Sequence, residues 1–157
     1  MNKTRLTAAA LAGIAALTVA GTPAQAETPW CTGSDLVVTA HDMRSPSSAS
    51  KAHRIGFAAV DGVSCVIGGS LSDVRFLDAD GTDLGIDPEI QPGDYVEVQV
   101  GGHREAAVYV ASQIHGPREN PASVRFTLPG SGDSVTVAWP SNLSPVVRLG
   151  SITAPVS

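Results

Sequence analysis

The chain has 157 residues and a formal net charge of −5; 16% of it is charged and only 4% aromatic, with 16 Gly, 11 Pro and two Cys. That length bounds it to one domain plus any processed segment, and an apolar content of 43% argues against a wholly disordered chain. An acidic balance without Lys/Arg runs lacks the electrostatic footprint that nucleic-acid binding needs, so no nucleic-acid partner is expected.

Residues 1–26 read as a secretory signal peptide: Lys3 and Arg5 at a basic start, an apolar stretch from Leu6 to Ala20, and the small-residue site Ala24-Gln25-Ala26. The apolar stretch falls short of the roughly 20 residues a membrane span needs, and Gly21 and Pro23 break any helix before the cut. No Cys stands at the cleavage point, so release is expected rather than lipid anchoring, with no membrane insertion after cleavage. Cleavage removes Lys3 and Arg5 and no acid, leaving residues 27–157 as a single domain with net charge −7 and one lysine, Lys51. Self-repulsion at that charge favours a soluble monomer and disfavours docking on anionic surfaces.

Both cysteines fall in the exported part. In an oxidising compartment an even count makes Cys31–Cys65 the expected disulfide. Closing a loop of that length contributes about 3 to 4 kcal/mol in the chain-entropy model. No Cys-x-x-Cys spacing supports thioredoxin-type chemistry.

Past Cys31 the apolar residues recur with period two in short runs, separated by Gly, Pro, Asp and Ser, which is the pattern of half-buried strands. Strands are predicted over 35–41, with Leu36, Val38 and Ala40 on one face, and over 53–60, with Ile55, Phe57 and Ala59 on one face. Between them, Arg44 to Lys51 is rich in Ser and is expected to be a mobile loop. Further strands are predicted over 74–77, 83–86, 95–100, 107–112, 123–128 and 134–139, with a short last one over 146–149. Asp80-Gly81, Pro92-Gly93-Asp94, Gly101-Gly102 and the stretch Pro129 to Asp133 supply the turns. Eight or nine such strands mean an all-β antiparallel sandwich or barrel.

Several of these segments, taken in order, resemble a family of bacterial exported domains known as domain of unknown function 4232. They are Cys31 with the strand that follows it, Cys65-Val66-Ile67-Gly68-Gly69, the stretch Val74 to Gly81, and the turn Ile90-Gln91-Pro92-Gly93. The likeness covers about residues 31–110. It implies an immunoglobulin-like β-sandwich whose first two strands are tied by the Cys pair, in an envelope or secreted protein with no assigned reaction. The chain departs from the family pattern at Gly69-Ser70, where a Pro is usual after the Gly, and at Val60-Asp61-Gly62, where Asn-Gly is usual.

Chemistry-bearing residues are few. Between Asp73 and Glu97 eight acids face the single Arg75, and Asp78, Asp80 and Asp83 place hard oxygens close together, as Ca²⁺ binding requires. The spacing is not that of an EF-hand, and Asp and Gly also suit a hairpin turn for its own sake. His41, His53, His103 and His115 are scattered, and His41-Asp42-Met43 is the only cluster of mixed metal-ligand types. No G-x-S-x-G elbow, phosphate cradle or placed carboxylate pair occurs, so neither an enzyme nor a cofactor is expected. Trp139 is expected in the core, and Trp30 either packs near the bridge or anchors a ligand. Asn142-Leu143-Ser144 fits the glycosylation triplet by chance. The resulting expectation is a secreted, non-enzymatic module that binds an extracellular or envelope molecule, with 44–52 and 112–122 as its candidate contact segments. The alternatives are an exported Ca²⁺-binding protein and an inhibitor of an extracellular hydrolase.

Overall fold

A computed structural model describes residues 26–156, and the expected signal peptide lies almost wholly outside them. After a short 3-10 turn, Gly33–Asp35, the chain forms ten strands: β1 (Leu36–Ser47), β2 (Ser50–Ala59), β3 (Cys65–Gly68), β4 (Ser72–Leu77), β5 (Glu89–Ile90), β6 (Glu97–Val100), β7 (Glu105–Gln113), β8 (Ser123–Thr127), β9 (Ser134–Ala138) and β10 (Ser144–Leu149). The fold is all-β. A five-stranded sheet runs in the order β1-β2-β7-β10-β5, and two smaller sheets are β3-β6 and β4-β8-β9. Every pairing is antiparallel except β10 with β5, which is parallel.

The alternating sequence explains the layers. Ile55 and Phe57 of β2 and Val108 and Val110 of β7 turn one face inward, where they meet Phe76 of β4 and Val124 and Phe126 of β8 in one core. Phe57 and Phe126 meet edge to face across the layers, centroids 6.0 Å apart, the geometry aromatic quadrupoles prefer. Ile67 of β3 and Val98 and Val100 of β6 add to the same core.

The disulfide forms as expected, with Cα atoms 5.0 Å apart. It does not tie the first two strands. Cys31 precedes β1 and Cys65 opens β3, so the bridge fastens the entering segment to the β3-β6 sheet. Backbone hydrogen bonds do the same on both sides of it, from Cys31 N to Val66 O and from Val66 N to Pro29 O, each 2.9 Å.

Other expectations need correcting. The 44–52 segment is not a mobile loop: β1 and β2 run on to a tight turn closed by the Ser47–Ser50 pair. Its Ser and Pro content is compatible with a strand because β1 is a sheet edge, where a proline costs no ladder bond on the open side. No strand forms over 83–86; only Asp83 bridges to Leu77. Its short apolar residues instead close a turn against β4, with Leu84 N donating to Phe76 O.

Candidate functional site

The inward faces change character at one end of the five-stranded sheet. Along β2 the core-facing residues read Phe57, Ile55, His53 and Lys51; the same face of β7 reads Val108, Val110 and Ser112; and β1 brings Asp42 opposite His53. β1 and β2 thus turn polar at the level of Asp42 and His53, and β7 follows two residues further on at Ser112, opposite Lys51, so the sandwich core ends in a polar mouth.

Ser141, in the connection that follows β9, closes this mouth from the other layer. Its hydroxyl donates to Asp42 Oδ1 at 2.6 Å and accepts from the Lys51 ammonium, with His53 Nε2 at 3.1 Å. Asp42 Oδ1 also lies 3.2 Å from His53 Nε2 and 3.8 Å from Lys51 Nζ. The pattern closes consistently when Nε2 carries the proton of a neutral ring. The imidazole is fully buried and rests on Trp139, ring centroids 4.7 Å apart, and Trp139 in turn meets Phe76 edge to face.

Burial pulls the His53 pKa down to about 4; the Asp42 carboxylate and a backbone contact with Val110 oppose that pull, and the Lys51 ammonium adds to it. His53 is therefore neutral at pH 7. His53 Nδ1, Ser112 Oγ and Trp139 Nε1 are buried without a protein hydrogen-bond partner, so three orphaned polar atoms collect at this one end of the core.

A cleft of about 240 Å³ opens beside the network, lined by Ser45, Lys51, Gln113, Ile114, Arg118, Asn142 and Ser144. Two register breaks border it. The β1–β2 register breaks between Met43 and Ser47, where Pro46 stands, and the β10–β7 register breaks between Ser144 and Val147, where Pro145 stands. β1 leaves the ladder opposite Lys51, between its pairings with Ala52 and Ser50, and β10 bulges by two residues between its pairings with Ser112 and Gln113. The two segments expected to make contacts, 44–52 and 112–122, both border this cleft, through Ser45 and Lys51 and through Gln113, Ile114 and Arg118.

The remaining candidates are not gathered here. Asp78 and Asp83 serve their own turn: Asp78 Oδ1 accepts the backbone N–H of Asp80 and of Thr82 at 2.9 and 2.8 Å, and Asp83 Oδ1 accepts that of Gly85. Arg75 faces Asp83 and Asp87 at 3.6 and 3.1 Å. Among the described residues no group of three or more His, Cys, Asp or Glu is arranged to hold a metal ion. Of the four histidines only His53 joins the network. Trp139 lies in the core as expected, and Trp30 packs on Gly130 at the surface. A larger cleft of about 450 Å³ beside β6 has no buried polar side chain in its lining.

The fold and this cleft define a disulfide-tied β-sandwich with a polar mouth at one end. The chain belongs to the family described as Domain of unknown function (DUF4232), which matches residues 31–154. No curated protein and no solved structure matches it. Among the described residues no helix is long and apolar enough to cross a membrane.

Proposed function

We propose that the protein is an exported, non-enzymatic binding module whose contact site is the polar mouth of the sandwich. The preassembled Asp42–Ser141–His53–Lys51 network carries this reading. Its parts include the residue types of a hydrolytic triad, but Asp42 and Ser141 meet the same ring nitrogen. A relay needs the carboxylate on one nitrogen and the hydroxyl on the other. Lys51 Nζ lies 3.8 Å from Asp42 Oδ1 while it donates to Ser141 Oγ, an arrangement that suits a fixed donor. Rigid donors and acceptors beside a cleft instead suit recognition, where the ordering cost is met before the ligand arrives. Export is supported by residues 1–26 and by the disulfide.

The test follows the mature chain. Intact-mass analysis of culture supernatant and envelope fractions is expected to find a species beginning at Glu27 with Cys31 and Cys65 oxidised. Immobilised mature chain is expected to enrich a partner from those fractions. A chain retained inside the cell with its first 26 residues, or a column that enriches nothing, contradicts the reading.

A further inference from the structure

We infer that the cleft between Lys51 and Arg118 captures the C-terminal carboxylate of a peptide, an assignment that rests on the binding-module reading above. Charge balance comes first. Lys51 and Arg118 both line the cleft; Asp42 offsets only Lys51, and Arg118 makes no ion pair among the described residues. His53, neutral at pH 7, adds no charge. The lining thus holds one uncompensated positive charge, which matches a carboxylate monoanion better than a phosphate dianion. The planar fork of an arginine also fits a carboxylate by two parallel N–H donors.

The neutral lining narrows the ligand further. Gln113 and Asn142 supply side-chain amides that can pair with a peptide unit, and Ile114 is the one aliphatic side chain present, suited to an apolar last residue. No aromatic side chain lines the cleft, so a sugar acid would find no stacking platform. At about 240 Å³ the cleft is smaller than the roughly 300–1,000 Å³ of sites that enclose whole ligands, and fits an end group. The paired register breaks at Pro46 and Pro145 and the 97% buried Ser144 show a recess built into the sheet rather than a gap between surface side chains.

The test is a ¹H–¹⁵N titration of the oxidised mature chain with acetyl-Gly-Leu bearing a free carboxylate, with its C-terminal amide, and with glucuronate. Saturable shifts at the Gln113, Ile114 and Ser144 amides with the acid alone are expected. The exposed-residue variant Arg118→Gln should weaken the acid at least tenfold, about 1.4 kcal/mol, with the rest of the spectrum unchanged. Equal binding of acid and amide, stronger binding of glucuronate, or no saturable shift at the cleft overturns the assignment. Failure of the assignment is separable from failure of the module: partner capture that survives Arg118→Gln undiminished refutes the carboxylate cleft and leaves the module standing, whereas absence of any capture refutes the module.

Discussion

His53 is fully buried at the polar end of the core, with its ring on Trp139. Its folded pKa of about 4 lies below the 6.5 of the unfolded chain. Above pH 6.5 the ring is neutral in both states and the packing on Trp139 contributes in full. Between pH 6.5 and 4 the unfolded chain takes a proton that the folded chain refuses, so stability falls as pH falls, by up to about 3 kcal/mol. Thermal melts from pH 7 to 4 should show that decline, and His53→Gln should flatten it; an unchanged slope in the variant would remove His53 as its source. A second residue-scale prediction concerns Gly68. A Cβ there would lie 2.5 Å from the Val96 carbonyl oxygen and 3.0 Å from Glu97 Cα, backbone atoms that cannot swing away. Gly68→Ala is therefore expected to cost about 1–3 kcal/mol in denaturant unfolding, and a neutral result would show that β3 and β6 tolerate separation.

At the scale of elements, most strands were legible from alternation because one face of each is buried. Those over 35–41, 53–60, 107–112, 123–128 and 134–139 all coincide with strands of the fold. Alternation does not show the short β3, because Cys65-Val66-Ile67 is a brief apolar run cut off by Gly68-Gly69, nor β5, which is only two residues long. The polar mouth was partly legible. Extending the alternation Leu36, Val38, Ala40 by one step reaches Asp42, and extending Phe57, Ile55 backward reaches His53 and Lys51. Alternation read only through apolar residues stops one step short of both. Ser141 was not legible at all, since 99 residues separate it from the Asp42 it bonds. The bridge offers a prediction at this scale. Replacing Cys31 and Cys65 together with Ala opens a loop of 34 residues and should cost about 3 to 4 kcal/mol, read as a lower urea midpoint. A midpoint unchanged from the oxidised chain would mean that the Pro29–Val66 and Cys31–Val66 backbone bonds alone hold the entry segment on β3.

For the whole molecule, charge and architecture point the same way. Residues 27–157 carry a net charge of −7, yet the mouth gathers their only lysine and Arg118, which makes no ion pair among the described residues, at one end of the sandwich. A local positive site on a negative body draws an anionic end group in while repelling acidic surfaces elsewhere. Asp78 and Asp83 of the acid-rich turn accept backbone N–H groups of that turn, so they stabilise a connection far from the mouth in chain order. Hydrogen exchange on oxidised residues 27–157, free and saturated with the acetyl-Gly-Leu acid, tests the polar mouth as the contact site most directly. Slowed exchange is predicted at 44–52, 113–118 and 141–144, with the 78–85 turn and the exposed Tyr95-Val96 pair unchanged. Slowed exchange centred on 78–85 or 95–97, or none at the mouth, would contradict it.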